Sequence, residues 1–352
     1  MDSSLLNGPA LPPPDGIIPN FDDPPRNNGL GYGLLSMFFA IGTAAFALRL
    51  YAKLFCVKKL RLEDGLGFAA FALYVTYLAA AYQVLQFPGF YVHQWDIRVR
   101  DVSRIQYTFY VASNSYNGMI GALKAAILLE WLWIFNPTGT RNTFFWTCHI
   151  VLWTNVLYYS AAAIAINLGC IPREKIWDVT IADGRCLDQN ALYLAGTIVN
   201  LISDLVILIT PQKIIWGLNM TLKRKLKLSF VFVIGLLCCG IATVRIATTF
   251  SSSHISDATY NLPSLVFLGT AEMLCALLVF CVPAFPQALT GLRVQKLFSQ
   301  ISSLLTTRNA SQQVSWENSR SSLSRKNGLV GQAEPYQRID EVSLEHLTQP
   351  SK

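Results

Sequence analysis

Of the 352 residues, 52% are hydrophobic and only 14% are charged, with a mean hydropathy of +0.37. Soluble domains carry about 25% charged residues, so this composition excludes an ordinary soluble domain, a disordered chain and a secreted disulfide scaffold. The net charge of +7 on so apolar a chain reports membrane topology before it reports nucleic-acid binding.

In chain order, residues 1–28 are acidic and proline-rich (Pro9, Pro12, Pro13, Pro14, Pro24, Pro25). With no basic segment to open a signal peptide, they are expected as an exposed N-terminal tail. Seven segments then reach the roughly 20 apolar residues that a membrane-crossing helix needs: Leu30–Leu50, Gly65–Phe87, Ile105–Phe135, Phe144–Leu168, Ala191–Trp216, Leu228–Phe250 and Leu262–Pro286. Each is too long for a barrel strand and lacks strict alternation, so the expected fold is an all-α, polytopic, seven-helix membrane protein spanning residues 29–290. The third segment exceeds the bilayer and is expected to tilt or protrude. Residues 291–352, rich in Ser, Thr, Gln and Arg, read as a largely disordered tail; the run Ser319–Arg325 resembles a kinase target.

Seven crossings put the termini on opposite sides. Lys53, Lys58, Lys59 and Arg61 fall in the first connection and Lys223, Arg224, Lys225 and Lys227 in the fifth, with Arg141, Arg293 and Lys296 on the same side. The opposite side carries Arg26, Arg98, Arg100, Arg104, Arg173, Lys175 and Arg185, interleaved with acids. The basic excess places the N-terminus outside and the C-terminus in the cytoplasm, of the plasma membrane or an endomembrane. Of eight cysteines, Cys170 and Cys186 share one outer loop, where a disulfide is expected. The sequons at Asn219 and Asn309 fall on the cytoplasmic side and are expected to stay unglycosylated. No Cys/His grouping has ligand spacing, so no metal is expected.

Charge at mid-bilayer is costly and faces the bundle interior. Four such charges stand out: Lys124, Asp204, Arg245 and Glu272. Lys124 and Asp204 lie at similar depth, about 17 Å from the cytoplasmic ends at 1.5 Å per residue, and Arg245 is long enough to reach Glu272. The expected pairs are therefore Lys124–Asp204 and Arg245–Glu272. Two polar stripes run towards them. Tyr107, Tyr110, Asn114, Asn117, Gly121 and Lys124 recur every three or four residues, as do Asn190, Tyr193, Thr197, Asn200 and Asp204. Facing stripes describe a cavity open to the outside with a charged floor. Its candidate ligand-binding residues are Tyr110, Asn114, Asn117, Lys124, Tyr193, Thr197, Asn200, Asp204, Arg245 and Glu272; interhelical hydrogen bonding is the structural alternative.

The last segment contains no Lys for a retinal Schiff base. Glu130-Trp131 stands where an Asp/Glu-Arg-Tyr switch would be, and no Asn-Pro-x-x-Tyr, His-rich box, phosphate loop or nucleophile motif is present. Nor are there the repeated halves and broken helices typical of secondary transporters. The ordered set Arg49, Glu63-Asp64, Lys124, Cys170-x-Pro172, Trp177, Gly184-x-Cys186, Asn200, Asp204, Pro211, Trp216, Leu218, Lys225, Gly235 and Arg245 resembles the fungal rhodopsin-like integral membrane family over about residues 30–290. The resemblance implies seven helices, no retinal chemistry, and kinship with receptor-like proteins of pathogenic fungi and with members from satratoxin-type secondary-metabolite clusters. A cysteine-rich segment before the first helix, present in some receptor-like members, is absent here. The basic residue common near the inner end of helix 3 is replaced around Glu130-Trp131. Both departures favour the cluster-associated type.

The expected function is a non-enzymatic small-molecule sensor or accessory factor of secondary-metabolite biosynthesis. The alternatives are a membrane-embedded enzyme using Asp204 or Glu272 as proton donor, and a transport or scaffold role. Expected partners are the lipid bilayer, a small apolar ligand and a cytoplasmic protein at the basic loops; no cofactor and no nucleic acid is expected.

Overall fold

A computed structural model describes residues 6–136, 140–211, 222–253 and 257–291. The helices are α1 (Asn28–Tyr51), α2 (Leu62–Gln86), α3 (Val99–Phe135), α4 (Thr143–Leu168), α5 (Gln189–Ile209), α6 (Leu222–Ser253), α7 (Ala258–Cys281) and the short α8 (Phe285–Gly291). Among the described residues, seven helices are long and apolar enough to cross a membrane. The tail beyond residue 291, both sequons and the side chains of Lys223, Arg224, Lys225 and Lys227 lie outside what is described.

Each helix begins one to six residues before its apolar segment, and at α4, α5 and α7 the first turn is capped by a side chain. Asn142 accepts from the Phe145 N–H at 2.9 Å, Asp188 from the Asn190 and Ala191 N–H groups, and Asp257 from that of Tyr260. Such turns complete a helix without adding to its hydropathy. The fifth segment was expected to continue to Trp216, but α5 stops at Ile209. Thr210 still has helical backbone, but Pro211 follows at once and, with no N–H, cannot donate the next bond of the helix. At about 1.5 Å per residue, the 37 residues of α3 span about 55 Å, well over the hydrocarbon thickness.

The connection between α1 and α2 marks one end of the bundle, called here the basic end; that between α4 and α5 marks the disulfide end. The core forms around α3, which packs on α2, α4 and α7, while α7 also contacts α1 and α6. α3 and α7 are the most buried helices, whereas α4 and α5 turn most of their apolar surface outward, Ile150, Trp153, Leu157 and Ile202 included. Such an outer face suits lipid. At Gly67 of α2, a Cβ would lie 2.5 Å from the Phe280 ring, so the glycine is what lets α7 approach at the point where Phe280 meets Arg49.

At the disulfide end, Cys170–Ile171 (β1) pairs antiparallel with Arg185–Cys186 (β2), and Cys170 is bonded to Cys186. Gly184 enters this hairpin at φ +115°, packed against the Ile171 carbonyl where a Cβ has no room. Within the loop, the Thr180 hydroxyl and N–H donate to Asp178 and hold its carboxyl below the usual carboxylate range. Closing a loop of this length stabilises by about 2 to 3 kcal/mol. Cys186→Ser should therefore lower resistance to unfolding by about that amount, and dithiothreitol should reproduce the loss in wild type; no response to reduction would show that the bond contributes nothing.

The N-terminal tail is mostly exposed, but it does not hang free. Ala10 N–H donates to the Ile97 carbonyl at 2.8 Å and Val99 N–H to that of Gly8 at 3.1 Å, while Asn20 N–H donates to Asp96 at 2.9 Å. The tail is thus tied along the α2–α3 connection. That connection in turn meets α7, where His93 sits 2.6 Å from Asp257 and stacks between Trp95 and Tyr260.

Candidate functional site

Two clusters of buried charge lie in the bundle, one central and one at the basic end. In the central cluster, Lys124 of α3 pairs with Asp204 of α5 at 2.9 Å, and Arg245 of α6 pairs with Glu272 of α7 at 3.2 Å. These are the pairings expected from depth along the helices. The structure adds that they are not separate. Asn200, 3% exposed, accepts from Lys124 Nζ at 2.7 Å and from the Tyr159 hydroxyl at 2.7 Å, while its amide nitrogen donates to Glu272 Oε1. One asparagine therefore joins both pairs and, through Tyr159 of α4, links five helices. The Arg245 guanidinium lies 4.4 Å from the Tyr116 ring centroid, beside Tyr77. The four charges sum to zero, which is what makes so deep a cluster tolerable.

The polar stripes above this cluster are arranged differently from the facing pair expected. Much of the α3 stripe turns to α4: Asn167 donates to Asn114 at 2.7 Å and accepts from the Tyr110 hydroxyl, and Asn117 donates to the Tyr159 carbonyl at 3.1 Å. Towards α5, Tyr193 meets Ser113 at 3.3 Å, and Thr197 donates within its own helix to the Leu194 carbonyl. Nearer the disulfide end, Tyr107, Tyr110 and Trp177 form an aromatic group, over which Arg173 donates to the Tyr110 hydroxyl at 2.7 Å. The polar groups of α3, α4 and α5 thus form a ladder of separate hydrogen-bonded rungs between the aromatic group and Lys124.

Tyr159 and Asn167 were not among the sequence candidates. Asn155, Tyr159 and Asn167 fall four and eight residues apart, a third polar stripe that the surrounding apolar residues of α4 conceal. Tyr77 and Tyr116 had no such signal.

The basic-end cluster was legible only in pieces. Arg49 of α1, 3% exposed, pairs with Asp64 of α2 at 3.0 Å and with Glu130 of α3 at 3.0 Å. It also donates to the Phe280 carbonyl of α7 and lies 3.5 Å from the Phe280 ring centroid. Lys53 reaches Asp64 at 3.2 Å, and Arg61 reaches Glu63 at 3.8 Å while stacking on Trp133. Three cations meet three carboxylates. Glu130, noted in the sequence as a departure from a basic position, is here the second carboxylate of Arg49. The two clusters share rigid elements: α3 carries Lys124 and Glu130, and α7 carries Glu272 and Phe280. Among the described residues, no group of three or more His, Cys, Asp or Glu side chains could hold a metal ion.

Seven apolar helices around interior charges that neutralise one another define a multi-pass integral membrane protein. The fungal rhodopsin domain model matches residues 48–291, and the chain belongs to that family. It is 38% identical over 286 residues to Fugralins biosynthesis cluster protein 2 of Gibberella zeae, covering 81% of this chain and 71% of that protein. It is 24% identical over 272 residues to Polyenoic acids biosynthesis gene cluster protein Ba17b of Metarhizium anisopliae, covering 72% of each. It is also 24% identical over 238 residues to Receptor GIN3 of Arthrobotrys oligospora, covering 67% of this chain and 56% of that receptor. Relatives of this chain thus include proteins named for biosynthesis clusters and one named as a receptor.

Proposed function

We propose that the protein is a non-enzymatic sensor or accessory factor in fungal secondary-metabolite biosynthesis, oriented with its N-terminus outside and its C-terminus in the cytoplasm. A small apolar ligand enters between α3, α4 and α5 from the disulfide end, past Tyr107, Tyr110 and Trp177. It acts on the central cluster through the polar ladder. The observation that carries this reading is the position of Asn200: a ligand group that bonds it competes with Lys124, Tyr159 and Glu272 at once. Because α3 and α7 also hold the basic-end cluster, a shift in either helix reaches the basic loops, where a cytoplasmic partner binds. Such coupling needs a ligand that prefers one arrangement over the other. The biosynthesis-cluster names of two relatives and the receptor name of a third support the pathway and the sensing role.

The test is affinity selection from an apolar culture extract by purified wild type, Asn200→Ala and Asp204→Asn, with retained compounds measured by mass spectrometry. A compound held by wild type should be retained about ten-fold less by both variants, the loss of one charge-assisted hydrogen bond. Equal retention by all three proteins removes the central cluster from ligand binding. Metabolite profiling of a deletion strain separates sensing from catalysis. A single accumulating precursor, reproduced by Asp204→Asn, would assign an enzyme instead; the cation held against each carboxylate argues for sensing.

A further inference from the structure

We propose that a cavity at the basic end binds the phosphate headgroup of an anionic phospholipid. The cavity has a volume of about 180 Å³ and is lined by Lys53, Lys59, Arg61, Glu63, Glu130 and Trp133, with parts of the α7–α8 junction. Its charges are sorted by depth. Glu63 and Glu130 are 2% and 8% exposed, and Glu130 is held by Arg49, which stands outside this lining. Of the cations, Lys53 lies deep and is taken up by Asp64, but the other two are further out: Lys59 is exposed and, among the described residues, pairs with no carboxylate, and the Arg61 side chain is one-third exposed. Neighbouring Lys58 is exposed as well. The surface a ligand meets is therefore positive, although the cluster beneath it is neutral.

Arg61 is also preset for a phosphate. Its guanidinium lies 4.2 Å from the Trp133 ring centroid, and its contact with Glu63 is a loose 3.8 Å, against 3.0 Å for Arg49–Asp64. A guanidinium held over an indole keeps donors free for phosphate oxygens.

Depth and surroundings favour a lipid as the source of that phosphate. The helical run from α1 ends at Val57 and α2 begins at Leu62, so Lys58–Arg61 sits at the headgroup level, with Trp133 in the usual position of an interfacial anchor. Large apolar side chains stand exposed at the same helix ends: Phe55, Leu60, Leu62 and Trp133 are 65%, 55%, 72% and 51% exposed. A phospholipid occupies the cation ring and this apolar rim together, its acyl chains on the helix flanks. Free phosphate takes only the ring, and a soluble acidic protein leaves the rim uncovered. Basic pockets between helix ends are where anionic headgroups bind.

The test uses full-length protein in phosphatidylcholine nanodiscs, with dioleoyl phosphatidic acid titrated in and bound lipid counted by native mass spectrometry. Wild type should retain phosphatidic acid over phosphatidylcholine. Each exposed cation near the surface contributes about five-fold in affinity, so Lys59→Gln and Arg61→Gln should each weaken binding about five-fold and the double variant about 25-fold. Lys59→Gln removes no hydrogen bond or ion pair with described residues, which keeps the test valid where Arg61→Gln loosens the fold. The control Arg185→Gln removes the same charge as either single variant from the exposed hairpin at the disulfide end and should leave binding unchanged. Three results would overturn the proposal: equal retention of the two lipids, an equal loss in the control, or displacement of the lipid by inorganic phosphate at matching concentration.

Discussion

Lys124→Met should destabilise the bundle by about 3 to 5 kcal/mol, and Asp204→Leu by a similar amount, whereas the two together should return stability to within about 1 kcal/mol of wild type. Each single change leaves a buried charge without its opposite. Asp204 would keep only a 3.5 Å contact with the Asn200 amide, and Lys124 would keep the two oxygens of Asn200 and the Tyr159 ring, none of them charged. The double variant removes both charges and substitutes apolar side chains of similar size. Asn200 would then still accept from Tyr159 and donate to Glu272, so no polar group is stranded. Unfolding by sodium dodecyl sulfate in mixed micelles, followed by tryptophan fluorescence, measures all four proteins. Single variants within about 0.5 kcal/mol of wild type, the size of an ordinary surface substitution, would mean that water reaches this pair and that the cluster does not hold α3 to α5.

The second large effect belongs to Arg49. Arg49→Met should cost about 3 to 5 kcal/mol, because it removes the cation shared by two carboxylates and a donor to the Phe280 carbonyl. Asp64 retains Lys53 at 3.2 Å, but Glu130 keeps no other ion-pair partner among the described residues. Most of the loss should therefore trace to Glu130, and Arg49→Met/Glu130→Gln should recover about half of it. If the two changes add instead, Glu130 and Arg49 are not coupled, and α1 is held to α3 by packing alone.

How much of this was visible in the sequence depends on the kind of signal. Hydropathy showed the seven helices because the bilayer fixes their length and composition. Mid-helix charges are rare and expensive, so Lys124, Asp204, Arg245 and Glu272 stood out and their depths suggested their partners. Cys170 and Cys186 were paired by sharing one loop. Connections between helices left weaker traces. Nothing periodic distinguishes Asn200 from the rest of its stripe, yet it alone touches both ion pairs. Glu130 lies at a helix end, where an acid is unremarkable by composition, and only the approach of α1 makes it a partner of Arg49. Tyr159 is hidden in the apolar average of α4. The ties of the N-terminal tail are backbone hydrogen bonds, which any residue can make and no pattern records.

The charge balance of the two clusters has an electrical consequence. A full charge moved across the membrane field gains or loses about 2.3 kcal/mol per 100 mV, enough for voltage to govern a conformational change. Here the central cluster contributes two positive and two negative groups, and the basic-end cluster three of each. A rearrangement that shifts either cluster as a unit transfers no net charge through the field. The bundle thus carries deep charges as handles between helices without either cluster, moved as a unit, coupling to membrane voltage.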